Sequence, residues 1–255
     1  IPQKGFGNAL SYIYGNVGTV SKGNDQFVVN TDFADSYQNR NGKPFSWDDI
    51  FPGYNNLSPQ ARSAYFLRDG LNDAEITSLK EYGADMSLYL PSGNEARLKT
   101  AYAQRDPRLA ATVILPYSTY VGGSTGAALT YTSRYPYRKD TAPELDLQTR
   151  YTTRMYYWMR KFVARGTEYQ ASEYTGIDMP VFRYADVLLC LAEALNEQGR
   201  TGEAIAYVNK VRDRAGVAEL DSNVWTVVEG QEDLRRRIID EKHWEFAGES
   251  GTLYE

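Results

Sequence analysis

The most regular alternation of apolar and polar residues lies between Arg183 and Gly199, in the stretch RYADVLLCLAEALNEQG. Apolar side chains recur there at intervals of three and four residues, which is typical of a helix that buries one face. The predicted stripe consists of Tyr184, Val187, Leu188, Leu191, Ala192 and Leu195. We therefore predict an amphipathic helix that ends near Gly199 and packs this stripe against a neighbouring element.

A second helix is predicted from Thr201 to Gly216, after a short connection at 199–202. Thr201 is a suitable N-cap, and Gly216 suits the left-handed conformation that often ends a helix. Its predicted inner face consists of Ala204, Ile205, Val208 and Val211. The two helices form an antiparallel hairpin that resembles a tetratricopeptide repeat in length and pattern. Because one such unit leaves apolar faces uncovered, we expect a further helix at 230–249 to pack beside it.

Shorter helices are predicted in the first half of the chain. Residues 58–83 contain helix formers, and Ser58 before Pro59 and Asp73 before Ala74 are suitable helix starts. Another helix is predicted from about Asn94 to Gln104.

The remaining segments favour loops and a little β structure. Residues 1–60 contain several Gly-Asn or Asn-Gly pairs and prolines, which is typical of loops, and residues 116–150 are rich in Gly, Ser, Thr, Tyr and Pro, which is typical of a long loop or a loose hairpin. Residues 151–163 are rich in β-branched and aromatic side chains, which predicts a strand. The fold class predicted is mainly α, with a tetratricopeptide-like helical hairpin scaffold, long irregular loops and minor β structure.

Composition and charge narrow the classes of partner. The 255 residues carry a formal net charge of −5 with Lys and Arg scattered along the chain, so we expect no binding to nucleic acid. One cysteine and one histidine exclude an intrachain disulfide and a multi-histidine metal site, and we expect no metal and no cofactor. The start IPQKGFGNAL lacks the pattern of a secretion signal, which in an exported protein would precede Ile1.

Aromatic residues in the loops provide the candidate binding site. The chain contains 21 tyrosines, and a tyrosine excess in an acidic chain favours a polar recognition surface. A sugar ring has an apolar face and a rim of hydroxyls, so it suits an aromatic plane beside carboxylate and amide groups. The segment FSWDDIFPGYNN combines these groups, and the predicted ligand-binding residues in it are Trp47, Asp48, Phe51, Tyr54 and Asn55. The structural alternative is that Trp47 fills the core under the loop.

Two further tyrosines extend this candidate site. Tyr12 and Tyr14 in LSYIYGN point to the same side if the segment is extended, and they could add to an aromatic platform. The alternative is that both rings pack within a strand.

Carboxylate pairs do not predict catalysis. A glycosidase needs two carboxyl groups separated by a defined gap, whereas the adjacent Asp48 and Asp49 would point to opposite faces of a strand. Glu241 and Glu245 share one helix face, but the basic residues nearby on the same helix favour a solvated ion-pair surface. We therefore predict no catalytic residue and no enzyme activity.

Several of these segments together resemble the SusD/RagB family of outer-membrane nutrient-binding lipoproteins. The most specific are FRYADVLLCLAEALNEQGRTGEAIAYVNKVRDRAGV, followed by RRIIDEKHWEFAGES, and the earlier block RDPRLAATVI. VNTDFADSYQNRNGKPF, before that block, and the strand-like YYWMRKF, after it, follow the order of the family. The resemblance covers nearly the whole chain and implies one SusD-like domain over 1–255, with a loop-rich ligand-binding region at 1–150 and a repeat-like helical region at 151–255.

The resemblance also implies a function and a location. It implies a surface-exposed lipoprotein of the outer membrane that captures oligosaccharide or polysaccharide for import by a SusC-type TonB-dependent transporter. It further implies that the chain is the C-terminal half of a longer protein, whose N-terminal lipid anchor is not in this sequence. Two alternatives stay open at this point: a peptide-binding member of the same family, and a helical-repeat adaptor that binds other proteins.

Overall fold

The computed structural model describes residues 13–15, 29–122, 129–138, 145–147, 156–163, 177–178 and 180–249. The chain divides into two compact units, each assembled from separate segments. The first unit consists of Ile1–Thr31, Ser46–Ala103 and Val113–Ile177. The second unit consists of Asp32–Phe45, Gln104–Thr112 and Asp178–Glu255. The grouping of all 255 residues in one SusD-like domain stays a prediction.

Helices dominate the described part of the chain, and the strands are short. Helices α1 to α8 span Thr31–Ser36, Pro59–Arg62, Asp73–Tyr82, Asn94–Ala103, Pro107–Thr112, Tyr184–Glu197, Thr201–Ala215 and Gln231–Glu245. Strands β1 to β5 span Val113–Ile114, Tyr120–Gly122, Leu129–Thr132, Leu145–Asp146 and Trp158–Met159. Additional 3₁₀ turns span Trp47–Asp49, Tyr54–Asn56, Ser63–Phe66 and Met86–Leu88. The predicted fold class, mainly α with minor β structure, is confirmed.

The core of the second unit is formed by α6, α7 and α8. The predicted helical hairpin is present, and Gly216 ends α7 with φ +74°, as expected. Helix α8 packs beside this hairpin, as also predicted. The buried residues of this core are Ala185, Leu188, Leu189, Ala192, Leu195, Ala204, Val208, Val211, Leu220, Leu234, Ile238 and Phe246.

The buried face of α6 is rotated from the predicted stripe. Leu188, Ala192 and Leu195 are buried as predicted. The prediction was wrong for the other three positions, because Tyr184, Val187 and Leu191 are exposed. The reason is that α6 packs against both α7 and α8, so the buried arc shifts to include Ala185, Leu189 and Asn196.

Local hydrogen bonds also move two predicted helix starts. The N-cap of α3 is Asn72 and not Asp73, because the Asn72 side chain accepts from the amide of Glu75 at 2.9 Å and Glu75 returns a bond, forming a capping box. Thr201 is the first helical residue of α7 and not its cap, since its hydroxyl donates to Asn196 Oδ1 at 3.1 Å.

The first unit contains α2 to α4 and two small sheets. β1 and β5 pair antiparallel, with Val113 opposite Met159. β2 and β3 pair antiparallel, which agrees with the loose hairpin that was one of the two possibilities for 116–150, and β4 lies parallel to β3. The strand predicted at 151–163 was too long, because β5 covers two residues and Phe162 has φ +63°, which ends the extended backbone. Residues 151–155 lie outside the described residues. Among the described helices, none has the length and apolar content needed to cross a membrane.

A buried ionic cluster joins α8 to α5 and α7 in the second unit. Glu241 is 0% exposed and accepts from Arg108 Nη1 at 2.6 Å and from Arg212 Nη1 at 2.8 Å. Arg108 also donates to Asp106 Oδ2 at 2.7 Å. Burial opposes the charge of Arg108, but Glu241 and Asp106 raise its pKa above the ordinary value. The prediction of a solvated ion-pair surface for Glu241 and Glu245 is therefore wrong, because arginines distant in sequence enclose these carboxylates.

Acid is expected to destabilise the second unit through Glu245. Burial raises the pKa of this carboxyl, but hydrogen bonding from Arg183 and the charges of Arg214 and Arg108 outweigh burial, so the net pKa is lowered. A group with a lowered folded pKa stabilises the fold above its unfolded pKa, and this stabilisation is lost as the pH falls through the folded value. We expect the urea midpoint of unfolding to fall as the pH drops below about 4.5, the ordinary value for Glu. Glu245→Gln should make this dependence shallower, and an unchanged dependence in that variant would contradict the assignment.

Candidate ligand-binding surface

The segment singled out by its aromatic and amide residues folds into a compact loop of the first unit. It contains two 3₁₀ turns, Trp47–Asp49 and Tyr54–Asn56, which are separated by a bend at Gly53. Gly53 has φ +87°, in the left-handed region that glycine tolerates best. The Asp48 carboxylate accepts a hydrogen bond from the amide of Asn55 at 3.0 Å. The two turns are therefore tied together by a side chain that was predicted to contact ligand.

Two of the predicted ligand-binding rings are buried. Trp47 is 5% exposed and Phe51 is 1% exposed. The Trp47 ring centroid lies 4.9 Å from that of Phe66 and 5.6 Å from that of Tyr102. Phe51 stacks on Tyr65 at a centroid distance of 4.2 Å. Other aromatic rings thus occupy the surfaces that a sugar would need, and direct stacking on Trp47 or Phe51 does not fit this arrangement.

Tyr54 and Asn55 lie at the edge of this aromatic cluster. Tyr54 is half-buried, and the Arg62 guanidinium carbon lies over its ring at 4.7 Å from the centroid. Asn55 is exposed. Asp48 is half-buried, and its carboxylate already accepts the loop hydrogen bond. Ligand contact by Tyr54, Asn55 and Asp48 stays a prediction.

The two tyrosines near the N-terminus have different outcomes. Tyr12 lies outside the described residues. Tyr14 is half-buried and its ring stacks with that of Phe162 at a centroid distance of 6.2 Å. Burial raises the pKa of the Tyr14 hydroxyl. Their participation in ligand binding stays a prediction.

The two adjacent aspartates of this loop, Asp48 and Asp49, belong to a short 3₁₀ turn. Asp48 and Asp49 lie in one 3₁₀ turn and not in a strand, so the expected opposition across a strand does not apply. Ser46 begins that turn, because its side chain accepts from the amide of Asp48 at 3.2 Å. Within the described ranges, no cluster of three His, Cys, Asp or Glu side chains could hold a metal ion.

The most exposed tryptophan was not among the predicted site residues. All four tryptophans lie in the described ranges, and Trp225 is the most exposed of them, at 46%. It lies in the connection between α7 and α8, in the second unit. The available signal was a tryptophan within the polar tract LDSNVWT, beyond the end of any periodic segment.

Comparison with known proteins identifies a family and two curated proteins that are similar to this chain in sequence. Residues 4–255 match the model of the SusD family. One SusD-like protein of Formosa agariphila is 40% identical over 75 residues, which are 29% of this chain and 14% of that protein. A second SusD-like protein of the same organism is 42% identical over 76 residues, which are 29% of this chain and 15% of that protein. The aligned segment is thus a small part of each curated relative.

A solved structure gives the same result for the fold. The crystal structure of a SusD-like protein from Bacteroides fragilis NCTC 9343 matches with a TM-score of 0.57 at 19% sequence identity. The match covers 96% of this chain and 39% of the other, so this chain spans well under half the length of that protein. The SusD-like fold expected from the sequence is confirmed. Since the family model covers nearly every residue, the chain belongs to the SusD family.

Proposed function

We propose that this chain is part of a cell-surface protein that binds oligosaccharide or polysaccharide and presents it to a transporter for import. The observation that carries the proposal is the match of the SusD family model over residues 4–255. In this proposal the partner is a SusC-type TonB-dependent transporter of the outer membrane. A lipid anchor N-terminal to Ile1 holds the protein at the surface, and binding involves no covalent chemistry.

Ligand contact in the first unit is proposed at Tyr54 and Asn55. The part of the Tyr54 ring that is not covered by neighbours offers an apolar surface, and the exposed Asn55 amide can donate and accept hydrogen bonds. Trp47 and Phe51 act behind this edge by fixing the loop through ring packing. A loop fixed before binding loses less conformational freedom when ligand arrives, which favours affinity. The affinity per site should still be modest, because polar sugar groups exchange water for protein with little surplus.

Replacement of Tyr54 by alanine should weaken glycan binding. We expect the dissociation constant to rise about fivefold, which is the order of one aromatic contact. The measurement is affinity electrophoresis of the full-length protein through native gels that contain soluble polysaccharides. Tyr82→Ala is the matched control, since Tyr82 is an exposed tyrosine on α3 of the same unit.

A second variant separates ligand contact from loop structure. The hydrogen bond to Asp48 uses the Asn55 main-chain amide, so Asn55→Ala removes only the exposed side-chain amide and preserves the loop. It should reduce retardation in the polysaccharide gel without changing the melting temperature. If the Tyr54→Ala and Asn55→Ala variants are both retarded as strongly as the wild-type protein, this location of the site is contradicted. If no polysaccharide retards the wild-type protein, the proposed function is contradicted.

A further inference from the structure

Trp225 lies on a loop whose conformation is fixed by hydrogen bonds within it. Thr226 Oγ1 accepts from the amides of Ser222 and Asn223, at 3.1 Å each. The Trp225 amide donates to Asn223 Oδ1 at 2.9 Å, and the Asp221 amide donates to the Thr226 carbonyl at 2.9 Å. The indole is therefore presented by a rigid backbone.

A turn at 39–43 holds this loop from a distant part of the sequence. Asn223 Nδ2 donates to the Asn41 carbonyl at 3.1 Å. Thr226 is fully buried against Gly42, where an added Cβ would lie 2.3 Å from Thr226 Cγ2. Gly42 also has φ +83°, so only glycine suits both the backbone and the close approach. The two segments thus form one preorganised surface.

Polar groups from the turn lie beside the exposed indole. The Lys43 ammonium is 5.4 Å from the Trp225 ring centroid, in cation–π range. Asn41 is exposed. Its main-chain carbonyl accepts from Asn223 Nδ2, and Asn223 Oδ1 accepts from the Trp225 amide, which places residue 41 next to the loop. An exposed aromatic ring with an ammonium over it and an exposed asparagine on the adjoining turn offers an apolar surface and hydrogen-bond donors, which suit the apolar face and hydroxyl rim of a sugar.

We propose that Trp225, with Asn41 and Lys43, is a second carbohydrate-contacting site, in which a sugar ring stacks on the exposed indole. Asn41 and Lys43 donate hydrogen bonds to hydroxyl or ring oxygens of that sugar. This inference rests on the proposed function, because it concerns the same class of ligand. It goes beyond that function by placing a contact at Trp225 in the second unit, outside the loop-rich region at 1–150 to which Asn41 and Lys43 belong.

The size of the exposed apolar patch favours a sugar over a protein partner. Val224, Trp225 and Val227 are its exposed apolar residues. The exposed acidic residues along the same loop are Glu219, Asp221 and Glu229. A stable protein interface takes about 20–30 residues from each side, whereas one indole and its margin match a single sugar ring.

The test is calorimetric titration of the full-length protein with a polysaccharide that retards it in native gels. Trp225→Ala is expected to raise the dissociation constant about fivefold or more, as expected for a lost ring contact. Tyr82→Ala, which removes an exposed ring far from this loop in sequence, is expected to bind as the wild type does. Unchanged glycan affinity in Trp225→Ala overturns this inference and leaves the proposed function standing. The same holds if that variant keeps its glycan affinity but no longer binds the purified transporter. Absence of binding by wild-type protein to every polysaccharide overturns the proposed function and this inference with it.

A second measurement does not depend on the folding of the alanine variant. Proton–nitrogen spectra of the wild-type protein contain a signal for the indole of Trp225, which is assigned as the one missing from Trp225→Phe. Saturating polysaccharide is expected to shift that signal. A Trp225 indole signal that does not move while the protein binds polysaccharide overturns the inference.

Discussion

Replacement of Glu241 by glutamine is expected to lower the free energy of unfolding by about 3–5 kcal/mol, as for other buried ion pairs that lose one partner. The Glu241 carboxylate accepts hydrogen bonds from Arg108 and Arg212, at 2.6 and 2.8 Å, in a site without solvent exposure. Glutamine keeps the size of the side chain but removes its charge, and its NH₂ group faces donors. Two guanidinium groups then lose a buried counter-charge. Urea denaturation followed by circular dichroism measures this loss.

Glu203→Gln is the control for the loss of a carboxylate charge. Glu203 pairs with Arg200 at 2.6 Å, but the Glu203 side chain is 59% exposed and the Arg200 side chain is 50% exposed. Solvent screens such a pair, so we expect no clear change in stability. Equal effects of Glu203→Gln and Glu241→Gln would show that the cluster around Glu241 does not stabilise the fold as described.

Trp47→Ala is expected to destabilise the protein by about 3–5 kcal/mol, the usual cost of truncating a buried tryptophan. The ring is 5% exposed and contacts Phe51, Phe66 and Tyr102 at centroid distances of 5.7, 4.9 and 5.6 Å. Alanine leaves a cavity among these rings that the neighbours can fill only in part. Denaturation in urea, with glycan binding measured on the folded fraction, separates stability from ligand contact.

This expectation follows the structural alternative for Trp47, in which the ring fills the core, and not the predicted ligand contact. As a ligand contact, the residue would be replaceable with folding intact. A Trp47→Ala protein with wild-type stability and weaker glycan binding would contradict the buried position and restore the direct role. Reduced stability would support the buried role of Trp47 behind Tyr54.

Helix positions were predictable from the sequence because their signals are local. Gly216 ends α7 in the left-handed conformation, and α4 begins at Asn94 as expected. Which apolar residues of a helix are buried was less predictable. Both Val187 and Leu189 are apolar, and only the simultaneous packing of α6 against two helices buries Leu189 and leaves Val187 exposed.

The candidate site was predictable only in part, because exposure of an aromatic ring depends on distant residues. Trp47 lies in a loop rich in aspartate and asparagine, yet Phe66 and Tyr102 enclose it from elsewhere in the sequence. Trp225 lies in a similar polar tract and is exposed, because Gly42 and Asn41 anchor the backbone beside it and leave the ring outside. The two local sequences do not reveal this difference.

The function proposed for this SusD-family chain is tested most directly by calorimetric titration of the full-length wild-type protein against two panels in parallel. One panel contains soluble polysaccharides and the other contains mixed oligopeptides. We predict saturable heat with one class of glycan and none with the peptides. Saturable heat with peptides alone would contradict glycan binding and indicate a peptide-binding member of the family, and no heat with either panel would favour an adaptor that binds other proteins.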